Sequence, residues 1–181
     1  MRIVAGKYRG RKLLAPTGDR VRPTTDMVKE SVFNMLMTDI YDCKFLDLFA
    51  GTGAISCEAV SRGAKSVTSV EKSKQSIEYM RKNFAFLSED LKKIKIENRD
   101  VLVFLESTRE KYGVIFADPP YAYENVDKIL DIIAKNGILK DGGTIVLETD
   151  KTREFVLPDE FVIEKQKTYS ITRLNIIKEK K

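Results

Sequence analysis

The chain has 181 residues, enough for one domain with a substantial core, and its 43% hydrophobic and 33% charged residues are those of a soluble globular protein. It has no histidine, which excludes Ser-His-Asp chemistry and histidine general bases, and its two cysteines, Cys43 and Cys57, match no zinc or redox spacing and read as buried free thiols. The net charge of +5 is uneven, because residues 1–25 carry seven basic residues against Asp19 alone, a local +6 that leaves −1 for the remainder.

That basic stretch comprises Arg2, Lys7, Arg9, Arg11, Lys12, Arg20 and Arg22. Basic residues gathered at one end of a near-neutral body are the footprint of a polyanion partner, although a solvated terminus has the same composition. Short apolar-bearing runs, 1–5 and 11–14, flank Gly6 and Gly10 and predict a small β-hairpin with Lys7, Tyr8, Arg9 and Arg11 at its tip. Residues 1–23 are therefore read as a basic arm and 24–181 as the main domain.

Thr24 or Thr25 can cap a helix in which Val28, Val32, Met35 and Leu36 form one apolar stripe. Residues 22–25 would then lie at a helix N-terminus suited to a carboxylate, or simply begin a packing helix. A short apolar strand around Asp47 leads into Phe49-Ala50-Gly51-Thr52-Gly53, where two glycines allow a sharp turn before a helix over 54–62 closed by Gly63. The third glycine of a dinucleotide fingerprint is replaced by Ser56, which disfavours a nicotinamide cofactor. The next strand, 67–70, ends in Glu71, twenty residues after Gly51, where a carboxylate can accept from ribose hydroxyls. Asp47 either caps the turn or faces the ligand; in the second case it would repel a pyrophosphate and suit the ammonium and sulfonium groups of S-adenosylmethionine.

Ser73 caps a helix with Ile77, Met80, Phe84 and Leu87 on one face, and Ile94–Glu97 alternates as a third strand. Asp100 follows, either to receive an adenine amino group or to cap a helix over 101–106. Val114–Ala117 and Thr144–Leu147 read as the fourth and fifth strands, the latter after a turn at Asp141-Gly142-Gly143, and 161–163 with 169–177 as an antiparallel pair. The alternation demands a mainly parallel α/β sheet.

The fourth strand delivers Asp118-Pro119-Pro120-Tyr121 to the edge where ligands bind in such folds. Two prolines make a rigid wall without N–H donors, leaving the Asp118 carboxylate and the Pro119 carbonyl as fixed acceptors for the two N–H groups of an exocyclic amine. Tyr121 can stack on a base. Asp118, Pro119 and Tyr121 are thus candidate catalytic residues, and Thr24, Asp47, Phe49, Gly51, Gly53, Glu71 and Asp100 candidate cofactor residues. Lys7, Arg9, Arg11, Lys12, Arg20 and Arg22 are candidate nucleic-acid contacts, to RNA if the resemblance below holds, and no metal is expected.

The run Asp-Leu-Phe-Ala-Gly-Thr-Gly, the strand-end Glu71 and Asp-Pro-Pro-Tyr resemble the S-adenosylmethionine-dependent amino-methyltransferases of class I fold. With Gly6-Lys7-Tyr8-Arg9-Gly10-Arg11-Lys12-Leu13, Arg22-Pro23-Thr24-Thr25-Asp26 and Glu30-Ser31-Val32-Phe33-Asn34, the chain resembles the bacterial RsmD family over nearly its whole length. The resemblance implies a seven-stranded Rossmann-like sheet, S-adenosylmethionine as cofactor, and methyl transfer to N2 of a guanine in 16S ribosomal RNA or the small subunit. Two departures stand out: Met27 replaces a residue that is often basic, and Tyr169-Ser170 replaces a familiar Tyr-Gly. A DNA adenine or cytosine amino-methyltransferase shares Asp-Pro-Pro-Tyr, and a non-catalytic RNA-binding assembly factor would share the basic arm. A cytoplasmic address is expected, because neither an apolar run of about 18 residues nor the apolar region of a signal peptide is present, and the chain is expected to be a monomer.

Overall fold

The computed structural model describes residues 1–16 and 26–180. The elements are α1 (Asp26–Met35), β1 (Lys44–Leu48), α2 (Ala54–Ser61), β2 (Ser66–Val70), α3 (Lys74–Phe84), β3 (Ile94–Glu97), α4 (Val101–Ser107), β4 (Tyr112–Ala117), α5 (Val126–Lys135), β5 (Leu139–Asp150), β6 (Phe161–Tyr169) and β7 (Thr172–Glu179). Seven strands form one sheet in the order β3-β2-β1-β4-β5-β7-β6. The first five in this order are parallel, and β7 runs antiparallel to both β5 and β6. Among the described residues, no helix is long and apolar enough to cross a membrane.

Because side chains alternate along a strand, both faces of the parallel strands are apolar and each carries its own core. Phe45, Val114, Phe116, Val146 and Ile176 pack on one face with α1, α2 and α3, which contribute Phe33, Cys57, Met80 and Phe84. Leu46, Leu48, Ile115, Ile145, Leu147 and Ile177 face the other way, onto Phe104 and Leu105 of α4 and Ile129 and Ile133 of α5.

Local signals placed most elements. Ser73 caps α3 by accepting from the Ser76 amide at 3.2 Å. Elsewhere packing altered the expectation. The helix expected to reach Leu87 stops at Phe84 and continues as a 3-10 segment over 85–93, broken at Ser88 with φ 47°, yet Leu87 remains buried. Helix α5 was not anticipated, although Val126, Ile129, Leu130 and Ile133 are buried at helical spacing. Strand β5 begins at Leu139 and passes through Asp141–Gly143, where a turn was expected, because its pairing with β4 shifts register between Tyr112 and Val114. The final hairpin turns at residues 170–171 rather than before Tyr169, with Ser170 in the left-handed region at φ 54°. Cys43 and Cys57 are free, and burial pushes the Cys43 thiol up to about 12.

Residues 1–16 fold back on the body. Arg2 and Lys12 form an antiparallel bridge, and Ile3 is completely buried. The Val4 and Ala5 amides donate to the Glu58 carboxylate of α2 at 2.8 and 2.9 Å, while the Lys7 amide donates to the Ser61 carbonyl at 2.8 Å. Gly6, at φ 82°, makes this contact possible: a Cβ there would lie 1.9 Å from the Ser61 carbonyl oxygen. The buried Lys29 ammonium completes the seam, 3.6 Å from Glu58 and bonded to the Arg2 carbonyl.

Candidate active site

Strand register brings the motifs together. Leu48 is level with both Val70 and Ala117, and Val70 with Glu97. The next residues, Phe49, Glu71, Asn98 and Asp118, therefore emerge on one edge of the sheet. Between β1 and β4 the strand order reverses direction, which opens a crevice at the carboxyl ends of a doubly wound sheet.

The loop after β1 is strongly shaped. Phe49, Gly51 and Gly53 all have positive φ, of 61°, 53° and 78°. The Ala50 amide donates to the Val70 carbonyl at 3.0 Å, and Asn83 Nδ2 holds the Thr52 carbonyl at 2.9 Å. Gly53 is required twice over, since a Cβ there would lie 2.6 Å from the Phe84 ring in addition to the strain of its φ. Around Gly51 the space is open, the nearest atom to a Cβ being the Phe49 carbonyl oxygen at 3.9 Å. The loop thus packs on α3 through one glycine and leaves open space at the other.

Three carboxylates surround this loop. Glu71 accepts from the Gly51 amide at 2.9 Å and the Ser73 amide at 2.7 Å, one on each oxygen, which leaves lone pairs on both for hydroxyl donors. Asp47 is buried beneath the loop and accepts from Ser56 Oγ at 2.5 Å; Ser56 Oγ in turn meets Ser69 Oγ at 2.7 Å. Burial, with a smaller contribution from Asp118 and Glu71, pushes the Asp47 carboxyl up to about 7. Burial also pushes Asp118 up to about 6. Carboxylates crowded in a desolvated crevice favour a cationic ligand, which would relieve their mutual repulsion.

Asp100 caps α4 by accepting from the Leu102 amide at 2.9 Å, and its second oxygen lies 3.9 Å from Lys72 Nζ. Cap and ligand contact are compatible, because a different oxygen is available for each. Tyr121 is 79% exposed beside the crevice, as a platform for a base from outside would be. Thr24, Arg20 and Arg22 lie outside the described residues.

On the arm, Arg9, Arg11 and Lys12 are exposed, and Arg11 covers the Phe86 ring at 5.0 Å. Lys7 points at the body instead. Its ammonium is 2.8 Å from both Glu89 and Asp90, which raise its pKa further, and Tyr8 Oη donates to Asp90 at 2.7 Å. The expected hairpin tip therefore divides into two anchors, Lys7 and Tyr8, and two outward cations, Arg9 and Arg11.

Sequence reasoning missed Tyr123, Arg153 and Arg173. The Tyr123 ring meets Phe49 edge-on, with centroids 4.9 Å apart. Arg153 donates from Nη1 to the Tyr121 carbonyl at 3.3 Å and from Nη2 to the Tyr123 carbonyl, while Arg173 Nη2 donates to the Arg153 carbonyl. Pro-Pro-Tyr-Ala-Tyr hinted at Tyr123 through its i, i+2 aromatic pair; nothing local marks an arginine thirty residues away.

The family described as "Conserved hypothetical protein 95" matches residues 1–178. Ribosomal RNA small subunit methyltransferase D of Haemophilus influenzae is 35% identical over 173 residues, 94% of this chain and 90% of that protein. The Escherichia coli K12 protein of the same name is 35% identical over 150 residues, 83% of this chain and 75% of that protein. A solved Escherichia coli structure, "Putative methyltransferase yhhF", superposes with a TM-score of 0.87 at 28% identity, covering 100% of this chain and 98% of that one.

Proposed function

From the premise that this chain belongs to the RsmD family, matched over residues 1–178, we propose that it transfers a methyl group from S-adenosylmethionine to the exocyclic N2 of a guanine in 16S ribosomal RNA. The observation that supports this most directly is the shared edge itself. Register sets Asp118, a half-buried carboxylate followed by two prolines, beside the Phe49–Gly53 loop and Glu71.

The residues present suit the cofactor. The open backbone at Gly51 and the free lone pairs of Glu71 would take its polar portions, Asp100 its base, and buried Asp47 adds negative charge beneath the loop. When bound, S-adenosylmethionine supplies an electrophilic methyl group on a positively charged sulfur. The chain's task is then positioning. The Asp118 carboxylate and the Pro119 carbonyl would accept the two N–H groups of the amine, which would fix its plane and leave its lone pair free to attack. Such alignment can contribute several kcal/mol without a strong base. The Asp118 carboxylate would stabilise the positive charge that develops on this nitrogen as it takes up the methyl group while the sulfur keeps the electron pair of the broken C–S bond, and water would take the proton that the nitrogen then sheds. A guanine must leave its stack to reach this edge, and exposed Tyr121 offers it a surface on which to stack.

In the same reading, residues 1–23 serve as a basic arm for RNA and 24–181 as the catalytic domain of a cytoplasmic monomer. Arg9, Arg11 and Lys12 would meet phosphates; the same role is proposed for Arg20 and Arg22, and cofactor binding for Thr24, from the sequence alone. Lys7 would contribute by anchoring the arm through Asp90.

The test is transfer of labelled methyl to small ribosomal subunits lacking their native modifications, with duplex DNA in parallel, followed by nucleoside analysis. Label recovered as N2-methylguanosine supports the assignment. Label in DNA would replace it with a DNA amino-methyltransferase, and label in neither despite cofactor binding would point to an assembly factor.

A further inference from the structure

We propose that Arg153 is a positioning residue, which holds the Asp118–Tyr123 loop in the shape that presents the acceptors at Asp118 and Pro119; the assignment rests on the methyl-transfer reading above. With Pro119 and Pro120 lacking N–H groups, the loop has few bonds of its own, and the Tyr123 amide donating to the Pro120 carbonyl at 2.8 Å is one of them. The guanidinium supplies what the prolines cannot. Its planar fork spans two alternate carbonyls, those of Tyr121 and Tyr123, a geometry that a lysine's point charge does not reproduce.

The fork is itself held on both sides. The Arg153 amide donates to the Asp150 carbonyl at 3.1 Å, and its carbonyl accepts from Arg173 on β7, so the loop is tied to the sheet. The segment 151–160, which joins β5 to β6 and carries Arg153, is also fastened to α5, where the Val156 amide donates to Asp127 at 3.1 Å. On the far side, the Tyr123 ring rests on Phe49, the left-handed residue that opens the glycine loop. The Tyr123 hydroxyl is buried with no partner among the described residues, so ring packing and the captured backbone hold this side chain in place. One half-buried arginine therefore orders both the acceptor wall and the ring that touches the cofactor loop. Its donors are turned to carbonyls, unlike those of the exposed arm residues.

The variants Arg153→Ala, Arg153→Lys and Arg153→Gln test this in the full-length protein. For Arg153→Ala, kcat on small subunits should fall about 10- to 100-fold, the scale expected when reacting groups are misplaced by about an ångström, with KM for the subunit within about threefold. In the cofactor-free protein, amide exchange at Tyr123 should quicken by about tenfold or more. Arg153→Lys should recover little of the lost rate, and added guanidinium ion should raise kcat of Arg153→Ala but not of the wild type. An unchanged kcat with a raised KM and a shallower salt dependence would make Arg153 a phosphate contact and overturn the proposal, as would unaltered exchange. A wild type that transfers no methyl would remove the methyl-transfer reading instead, leaving exchange to judge the clamp. Should Arg153→Ala fail to fold, the Lys and Gln variants carry the same measurements.

Discussion

Replacing Asp118 by asparagine should make the protein more stable and nearly inactive. Burial has moved this carboxyl from 3.8 to about 6, so at neutral pH folding carries the cost of an ionised group that would rather be protonated. A displacement of that size corresponds to about 3 kcal/mol, and partial solvation together with the poorly paired amide of asparagine reduces the expected gain to about 1–2 kcal/mol. For a chain of this length, that raises Tm by roughly 2–8 °C. The sign with pH follows from the raised value. The cost is absent below the unfolded pKa near 3.8, grows between pH 4 and 6, and is complete above about 6, so the advantage of Asp118→Asn should be largest at pH 7.5 and vanish near pH 4. Relief of Asp47, which Asp118 pushes up, works in the same direction. Activity should move oppositely: loss of one preorganised charged acceptor lowers kcat by about 100- to 1,000-fold, and wild-type kcat/KM, which reports the free protein, should decline as pH falls through about 6. Thermal melts from pH 4 to 8 beside single-turnover methyl transfer make the measurement. A variant that melts below the wild type at pH 7.5, or that keeps a tenth of its turnover, would refute the reasoning.

Gly53→Ala should lower the stability measured by urea unfolding by about 2–4 kcal/mol, because the new Cβ lies 2.6 Å from the Phe84 ring and 2.8 Å from Met80 Cγ at a φ of 78°. In the opposite direction, Ser170→Gly should raise it by about 0.5–1 kcal/mol, since Ser170 occupies a left-handed turn position that glycine adopts freely; a loss of stability would show that the serine has another role. Changing Arg9, Arg11 and Lys12 together to alanine should weaken RNA binding and flatten its dependence on log salt by about two to three. Lys7→Ala alone should leave that slope nearly unchanged, because its ammonium is held by Glu89 and Asp90; equal slopes for the triple variant and the wild type would take the arm out of the interface.

Whatever depends on neighbours a few residues apart could be read from the chain. The apolar strands, the Ser73 cap and the left-handed glycines at 51 and 53 follow from backbone sterics and side-chain period, and the order of the glycine loop, Glu71 and Asp-Pro-Pro-Tyr placed all three at strand ends. The helical spacing of Val126, Ile129, Leu130 and Ile133 in α5 is a signal of the same local kind. Where several partners were chemically possible, only packing could choose. Lys7 could have met a phosphate, and the fold set it against Asp90, 83 residues away. Asp47 could have stood exposed at the strand end, and the fold buried it beneath the glycine loop, where it accepts from Ser56 Oγ. Arg153 could have been one more surface cation, but the return of the chain after β5 laid its guanidinium along the carbonyls of Tyr121 and Tyr123, about thirty residues upstream. A sequence states which groups can donate and accept; which of them meet is decided by strand order and register, because only these bring distant residues within the roughly 3 Å that a hydrogen bond requires.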